Sequence, residues 1–521
     1  MHAMKTWLLC VLAATIFVIA PLASISLQGN EHDSLRKDSC IVSDDDLDPL
    51  SDVEVTVDIQ KIRSLETDDV RPITIDKIDP LSDPDFYVKV FINGEKFISP
   101  VWQNQKYVYG EWSATADVPD DEEFVNVVIE LWDKNHGQDR LCDLSINDKM
   151  YPSSYTVNLT YSIKTGHWCG DDYVSYEGYW CGPDRSGYGR LNGCDDNSQY
   201  QHDRDCELWF DIRQSDPDGD NIPYYTEVNV YNTDPTVDNT GEDADDDGVP
   251  IEWEHKWGHS LVVNWWQDTI YPIWLYDPFV WEDHEHLDPD NDGLTNIEEY
   301  LTMQWGSDPF RDDLFIELDQ MESGNDGEPA SLLSKGAKER LQTAYDKHNI
   351  VYHLDDGCMG GGEMIPFEPE NDWEELREYY YQKYFLNDNQ DNWRQGIFHY
   401  GLVIYDGGFN GYGIRPDTWQ ISTKYIEEKC RQLFFIDEDI VYASVFMHET
   451  GHSLNIRNPG VDNFDAMYPW QPEYWKYRPY KSCMNYGHTY TFVDYSDGSR
   501  GINDFDDWNN LDLTYFNDGR W

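Results

Sequence analysis

Residues 437–452 read DEDIVYASVFMHETGH, and they are predicted to form the helix that decides the fold of the chain's last third. Asp437, Glu438 and Asp439 lie at its start, where negative charge is favourable beside the positive end of the helix dipole. His448 and His452 are four residues apart and therefore share one helix face. Two imidazoles at this spacing can bind one metal ion, and the adjacent carboxylate of Glu449 can reach a water molecule on that ion.

This H-E-x-x-H grouping is typical of zinc-dependent peptide hydrolysis. Zinc lowers the pKa of a bound water toward about 7, and Glu449 can take the proton and deliver it to the leaving amine. His448 and His452 are therefore candidate metal ligands, and Glu449 is the candidate general base. A helix that carries the pattern by chance is the alternative interpretation.

A second motif lies downstream, in YKSCMNYGHTYTFVDYSDG at residues 480–498. Its SCMNY core resembles the Met-turn of metzincin zinc proteases, as does the preceding order of strand, helix, strands, edge strand and active helix. The resemblance implies an α/β (α+β) metzincin-like catalytic domain over residues 306–521, similar to secreted metalloproteases of archaea and bacteria. It also implies that Met484 lies beneath the metal, that Tyr486 helps to stabilise the oxyanion, and that residues 412–423 form the edge strand that binds an extended substrate.

The chain departs from the metzincin pattern at two positions. The pattern H-E-x-x-H-x-x-G-x-x-H expects glycine at 455 and histidine at 458, where this chain has Asn455 and Asn458. Asn455 can replace glycine at a left-handed helix end, but a neutral amide is a poor zinc ligand. The favoured third ligand is Asp462; Asn458, weakly or through water, and His488 are the alternatives. A degenerate, inactive site is the remaining interpretation.

Residues 214–305 repeat one pattern in DPDGDNIPYYTE, DADDDGVPIEWE and DPDNDGLTNIEE. Each segment has acids at positions 1, 3 and 5, an apolar residue at 7 and glutamate at 12, which is the spacing of a twelve-residue calcium loop. Position 6 is glycine in two loops and Asn221 in the first. The segments resemble the structural calcium repeats of thrombospondin type 3 and dockerin-like modules. The predicted ligands are Asp216, Asp218, Asp220, Ile222 and Glu227; Asp243, Asp245, Asp247, Val249 and Glu254; and Asp288, Asp290, Asp292, Leu294 and Glu299.

Residues 51–213 are predicted to form an antiparallel β-sandwich with a cysteine-rich insertion at 166–206. VEVTVDIQKI, DFYVKVFI, FVNVVIELWD and CELWFDIRQ are short runs rich in β-branched and aromatic residues, separated by turn residues. Two acidic loops resemble those of synaptotagmin-like calcium-binding modules, although acids are also common in ordinary turns. The acidic and amide residues of these loops are Asp79, Asp83, Asp85, Asp133, Asn135, Asp139 and Asp143.

The N-terminus predicts export. Residues 1–26 have the basic, apolar and small-residue order of a signal peptide, with a single N-terminal anchor as the alternative interpretation, and residues 27–50 are predicted to be an acidic linker. The mature protein is therefore expected to be secreted or attached to the cell surface. In that compartment local disulfides are expected among Cys169, Cys181, Cys194 and Cys206. Cys358 and Cys430 are expected to be a structural pair or buried thiols.

The amino-acid composition limits the classes of partner that the protein can bind. Of 521 residues, 101 are acidic and 37 are basic, so the formal net charge of −64 argues against nucleic acid as a partner. No membrane span is predicted after the signal peptide. The sequence thus favours a secreted, calcium-stabilised zinc endopeptidase acting on proteins or peptides. The alternative is a non-enzymatic, calcium-dependent surface or adhesion protein with a degenerate protease-like domain.

Overall fold

The N-terminal part of the chain is built from short antiparallel strands. In the computed structural model, the described residues are 49–64, 78, 82–144, 155–171, 173–176, 180–183, 189–192, 204, 206–264, 269–348, 350–457 and 466–518. The predicted signal peptide and nearly all of the acidic linker therefore lie outside them. The strands of this part are β1 (Glu54–Ser64), β2 (Phe86–Ile92), β3 (Glu95–Ile98), β4 (Tyr107–Asp117), β5 (Phe124–Asp133), β6 (Arg140–Leu141), β7 (Val157–Ser162), β8 (Trp168–Gly170), β9 (Tyr173–Tyr176), β10 (Trp180–Pro183), β11 (Gly189–Asn192) and β12 (Cys206–Gln214).

These strands form two sheets that share one core. The strand orders are β11-β12-β1-β4 and β3-β2-β5-β7-β8, with β6 paired to β5, while β9 and β10 form a separate hairpin. Val57 and Phe210 from the first sheet pack in the same buried cluster as Val88 and Ile129 from the second. Because alternate side chains of a strand point to one face, this shared cluster is the interior of a sandwich. The four predicted strands are confirmed.

The predicted disulfides are not supported. Cys169, a member of the predicted cluster, is a buried free thiol, as is Cys142. Cys358 is an exposed free thiol and Cys430 a buried one, so they do not form a pair. Cys194 lies outside the described residues. The described strands of this region are held by backbone pairing and apolar packing instead.

The middle of the chain alternates acidic loops with short helices and one hairpin. The hairpin pairs β13 (His259–Asn264) with β14 (Thr269–Trp274). The helices are α1 (Tyr224–Thr226), which continues as a π-helical turn over Glu227–Tyr231, α2 (Ile251–Gly258) and α3 (Asn296–Thr302), followed by a 3₁₀ turn at Met303–Trp305. A small core of Trp253, Trp257 and Tyr276 packs beside this region.

The C-terminal part is a mixed sheet with helical segments on both faces: one face packs against Leu341 and Phe446, and the other against Leu376 and Phe385. Its sheet order is β16-β15-β18-β20-β19, with β17 also paired to β15; all pairings are parallel except that of β19 with β20. The strands are β15 (Asp313–Met321), β16 (Val351–Asp355), β17 (Met364–Ile365), β18 (Phe398–Ile404), β19 (Gly411–Arg415) and β20 (Thr418–Ser422). The helices are α4 (Lys335–Asp346), α5 (Trp373–Glu375), continued by a π-helix over Leu376–Phe385, α6 (Thr423–Gln432), α7 (Glu438–Ser453) and α8 (Pro472–Lys476), with 3₁₀ turns at Trp508–Asn510 and Tyr515–Asp518.

The run DLFIELDQM at residues 313–321 predicts a buried strand, and the pattern from Pro329 to His348 predicts an amphipathic helix. This strand and the predicted helix ending at His452 are confirmed, but two other predictions need correction. The helix expected from Pro329 begins at Lys335, because Ser331 pairs with the end of β15 and Ser334 caps the first turn through the Ala337 N–H. Residues 412–423 do not form one edge strand. They fold as the hairpin β19–β20, and only β19 lies at the edge of the sheet.

Helix α7 is central to this part of the chain. Its residues Val441 and Phe446 pack in one buried cluster with Leu318 of the sheet and Leu341 of α4. Burial on this scale, at about 25 cal/mol per Å² of apolar surface, holds the helix in a fixed position. Residues downstream of α7, including Met484, complete the same cluster. The site residues on α7 are therefore carried by a rigid element.

A buried ion cluster joins the sandwich to the C-terminal sheet. The Arg63 guanidinium at the end of β1 contacts the carboxylates of Glu207 and Asp346, and the side chains of Arg63 and Glu207 are fully buried. Tyr107 of β4 also hydrogen-bonds to Thr343 of α4 at 2.9 Å. Among the described residues, no helix is long and apolar enough to cross a membrane.

Candidate metal centres

The first candidate centre lies on the last turns of α7. Asp437 caps the helix by accepting a hydrogen bond from the Asp439 N–H at 3.0 Å. At the other end, the N–H of Ile456 donates to the Gly451 carbonyl and the N–H of Asn455 to the His452 carbonyl. Asn455 has a φ of +60°, so the helix ends in a Schellman motif with asparagine in the left-handed position, as the sequence predicted.

His448 and His452 point one nitrogen each at the same place. Their Nε2 atoms lie 3.2 Å apart and their rings are nearly perpendicular. His448 Nδ1 lies 2.8 Å from the carbonyl oxygen of Cys483. A carbonyl oxygen can only accept, so Nδ1 carries the proton of the neutral ring and Nε2 keeps its lone pair.

This spacing fits two ligands of one metal ion. Two nitrogens bound at 2.0–2.1 Å to a tetrahedral ion are about 3.3 Å apart, close to the observed 3.2 Å. Burial and the neighbouring His448 lower the pKa of His452 to about 3, so its ring is neutral and also able to bind a metal. The hydrogen bond from His448 Nδ1 to the Cys483 carbonyl fixes the orientation of the ring, as is usual for a metal-binding histidine.

Glu449 lies beside the pair, against the edge strand. Its side chain is buried, and burial raises its pKa to about 8. A Cβ atom on Gly411, the first residue of β19, would lie 2.5 Å from Glu449 Oε1. The glycine therefore leaves the space that this carboxylate occupies. A carboxylate with a pKa near neutrality is suited to accept and release a proton.

The Met-turn candidate lies under the helix. A Cβ atom on Gly451 would lie 2.5 Å from Met484 Sδ, so the thioether touches α7 between the two histidines. Asn485 holds the turn by donating to the carbonyls of Tyr477 and Tyr480. The Tyr486 ring stacks on His448 with a centroid distance of 5.4 Å. The structure thus brings Met484 and Tyr486 to the histidine pair.

The candidates for the third ligand are not brought together with the pair in the described part of the chain. Asp462 and Asn458 both lie outside the described residues. The Nε2 atom of His488 lies 3.3 Å from the carbonyl oxygen of Arg478, which gives that nitrogen another partner. The choice between Asp462 and Asn458 therefore stays a sequence prediction.

The three repeat loops form a second kind of candidate centre, and they share one backbone geometry. In every loop the N–H at position 6 donates to the first aspartate, at 2.7–3.1 Å, and the N–H at position 7 donates to the fifth-position aspartate, at 2.7–3.3 Å. Positions 4 and 6 have positive φ in each loop. These residues are Gly219 and Asn221, Asp246 and Gly248, and Asn291 and Gly293.

The acids of each loop converge. Asp216, Asp218 and Asp220 offer oxygens within 4.8 Å of one another, as do the corresponding residues of the second and third loops. Each loop also contains a buried oxygen with no hydrogen-bond partner among the described residues: Oε2 of Glu227, both oxygens of Glu254, and Oδ2 of Asp290. Buried polar atoms are normally paired, so these oxygens point to an additional partner such as a cation.

The pKa values of these acids are raised, which reflects their burial and the close approach of their carboxylates. Burial, followed by the charge of Asp220, raises the pKa of Glu227 to about 8. Burial, followed by the charge of Asp247, raises the pKa of Glu254 to about 9. Burial, followed by the charge of Asp292, raises the pKa of Asp290 to about 11. In the protein alone these carboxylates resist ionisation, and a divalent cation would remove that cost.

The two acidic loops of the sandwich also meet. Asp85 donates its backbone N–H to Asp133 Oδ1 at 3.0 Å. Asp139 accepts from Lys134 Nζ at 2.8 Å and from the Tyr87 hydroxyl at 2.9 Å, so protein donors satisfy that carboxylate. Asp79 lies outside the described residues.

No protein-family model and no curated protein matches the chain. Similar solved structures include C2 domains. They include a C2 domain of plant extended synaptotagmin 1 (10% identity, 32% of this chain and 95% of that chain, TM-score 0.18) and a C2 domain protein from Ramazzottius varieornatus (10%, 33% and 91%, TM-score 0.18). Human GIVD cytosolic phospholipase A2 is similar at 13% identity over 32% of this chain and 17% of that chain, with a TM-score of 0.19. Likenesses at these scores carry no argument about this chain.

The sequence did not predict which residues outside the loops hydrogen-bond to the loop acids. The second carboxylate oxygen of each fifth-position aspartate accepts a backbone N–H from Asn239, Glu282 or Asp313. These partners follow the aspartate by 19, 35 and 21 residues, so no fixed spacing could have revealed them. Glu282 and Asp313 also add carboxylates to their clusters.

Proposed function

We propose that the protein is a secreted, calcium-stabilised zinc endopeptidase. The observation that carries the proposal is the pair of Nε2 atoms 3.2 Å apart on α7, beside a buried carboxylate and the edge of a sheet. In a helix that carried H-E-x-x-H by chance, nothing would require the two imidazoles to converge. Calcium in the repeat loops would stabilise the fold.

The residues of α7 have separate roles. His448 and His452 hold the zinc ion, which supplies a water of lowered pKa and polarises the substrate carbonyl when bound. Glu449 accepts a proton at its carboxylate and returns it to the leaving amine, a role to which its pKa of about 8 is suited. Tyr486, stacked on His448, is placed to donate to the substrate oxyanion.

Substrate binding is assigned to strand β19. It pairs with β20 on one side and lies at the end of the sheet order, and its first residue touches Glu449. An extended peptide that adds to this edge by main-chain hydrogen bonds would pass the site on α7. This mode favours a protein or peptide substrate, because each residue of the peptide offers both a donor and an acceptor.

The third ligand in this proposal is Asp462. A carboxylate oxygen is an ordinary zinc ligand, and the one other candidate histidine, His488, has its Nε2 atom against a carbonyl. With two nitrogens and one oxygen bound, a fourth position stays open for water or substrate, as catalytic zinc sites require.

The test is hydrolysis of casein by the purified full chain with calcium held in excess. A zinc-selective chelator should abolish hydrolysis, and one equivalent of Zn²⁺ should restore it. His452→Gln should lose at least about 10³-fold in rate, because general-base catalysis and metal activation fail together. His286→Gln, at an exposed histidine bound to Asp283, is the matched control and should keep the wild-type rate. Unimpaired hydrolysis by His452→Gln would overturn the assignment of the active site to α7, and no hydrolysis by the wild-type chain would favour a non-enzymatic role.

A further inference from the structure

The second repeat loop differs from the other two because a histidine enters its acid cluster. Asp247, Glu254, Glu282 and His284 offer ligand atoms that all lie within 4.8 Å of one another. The corresponding group of the third loop, Asp292, Glu299 and Asp313, contains oxygens alone. Calcium prefers oxygen ligands, so a nitrogen in this position is a departure that needs a reason.

His284 is aimed into the cluster. Its side chain is fully buried, and its Nε2 atom lies 3.3 Å from Asp247 Oδ2 and 3.9 Å from Glu254 Oε1. That nitrogen makes no hydrogen bond in the described part of the chain, and neither oxygen of Glu254 does. Glu282 adds a buried Oε2 atom that also has no partner there. Four buried atoms that can bind a cation thus face one another without a protein donor to satisfy them.

Neighbouring side chains hold the His284 imidazole in this orientation. Its ring lies edge-on to Trp253 and Tyr276, with centroid distances of 5.6 and 4.8 Å. The amide of Asn296, at the start of α3, lies 2.7 Å from His284 Nδ1, while Asn296 Oδ1 has no partner among the described residues. The two ends of an amide have the same shape, and turning the Asn296 amide over places Oδ1 against Nδ1. Nδ1 then donates to Oδ1, and Nε2 keeps its lone pair directed into the acid cluster, which is how a histidine is oriented when its other nitrogen binds a metal.

We propose that Asp247, Glu254, Glu282 and His284 bind a divalent transition-metal ion of the zinc or cobalt type. Imidazole nitrogen together with carboxylate oxygens suits these ions, whereas an all-oxygen set suits calcium. The site is separate from His448 and His452, and its role is structural, because Asp247, Glu254 and His284 are all buried. The proposal does not rest on peptide hydrolysis.

The experiment uses Co²⁺ as the probe and the full chain carrying His448→Gln and His452→Gln, so that the site on α7 no longer contributes. After chelation, this protein is dialysed against Co²⁺ in millimolar Ca²⁺, and the retained cobalt is counted. One Co²⁺ per chain is expected. Adding His284→Gln should weaken cobalt binding at least about tenfold, while His286→Gln, at the exposed histidine two residues away, should leave it unchanged.

X-ray absorption by the bound cobalt gives a second readout that does not depend on how the His284 variant folds. Scattering from one imidazole ring is expected in the protein that retains His284. Cobalt surrounded by oxygen alone, no cobalt retained against calcium, or equal affinity in the His284→Gln protein would overturn the assignment. Since no outcome involves hydrolysis, failure here leaves the proposed function to its own test.

Discussion

The site on α7 and the three repeat loops both place metal-binding atoms together, but in opposite settings. On α7, two nitrogens converge beside Glu449 and the edge strand, and the proposed function leaves one coordination position there for water or substrate. In the loops, carboxylates from positions 1, 3 and 5 converge, and a backbone N–H from a later segment binds the fifth-position acid of each loop. Open coordination is typical of catalytic ions and closed coordination of structural ones. The difference predicts that the two kinds of metal can be removed with separate consequences.

Removing calcium should have the largest effect. A cation that is present at about a thousand times its Kd stabilises the folded state by about 4 kcal/mol per site, so the first and third loops, whose acid clusters contain oxygens alone, together contribute about 8 kcal/mol. A calcium chelator should therefore lower the melting temperature by more than a zinc-selective chelator does. Scanning calorimetry measures both. Equal shifts from the two chelators would break the distinction between the sites.

The calcium-free protein should lose stability as pH rises. Glu227 and Glu254 have folded-state pKa values of about 8 and 9, against an ordinary value of 4.5. Well below pH 4.5 both are protonated whether folded or unfolded. Between pH 4.5 and 9 the unfolded chain releases protons that the folded chain retains, so unfolding becomes more favourable. Melting temperatures in chelator should fall across this window, and saturating calcium should remove the fall. A melting temperature that rises with pH in chelator would contradict the raised pKa values of these acids in the folded protein.

Gly411→Ala tests whether catalysis depends on the position of the Glu449 carboxylate. The added Cβ would lie 2.5 Å from Glu449 Oε1, so the carboxylate must move away from its position beside the histidines. A displacement of about 1 Å at a catalytic group can cost about 10²-fold in rate. We expect kcat to fall by about that factor, with zinc content and melting temperature close to wild type. A normal kcat would show that this position of Glu449 is not needed.

Asp462→Ala tests whether Asp462 is the third zinc ligand of the site on α7. If Asp462 is the third ligand, its loss should weaken zinc binding at least about tenfold, measured by competition with a chromogenic chelator. His488→Gln is the matched variant and should leave zinc affinity unchanged, because Nε2 of His488 faces the Arg478 carbonyl. The reverse result would exchange the roles of the two residues.

Local patterns predicted much of this molecule. The strand at 313–321, the cap at Asp437 and the left-handed Asn455 follow from residue type and short spacing, and each has its expected form. The loop acids likewise converge as their spacing indicated. Contacts between distant segments were not predictable. Gly411 against Glu449 and Glu282 against Asp247 depend on how far-separated segments pack, and no short motif encodes them.

Two expectations were not met. Disulfides were expected among the clustered cysteines, but Cys169 is buried as a free thiol. The apolar pattern from Pro329 suggested an earlier helix start, but pairing of Ser331 with Met321 keeps that segment extended until Ser334 can cap α4. At this helix start a contact with a distant strand overrode the local pattern.

The most direct test of the account is hydrolysis by Glu449→Gln in the full chain with calcium and one equivalent of zinc. The amide keeps the shape of the side chain but cannot accept the proton, so the rate should fall by about 10²- to 10⁴-fold while zinc content stays at the wild-type level. Glu438→Gln, at an exposed glutamate in the first turn of the same helix, is the matched control and should keep full activity. Wild-type hydrolysis by Glu449→Gln would contradict the account.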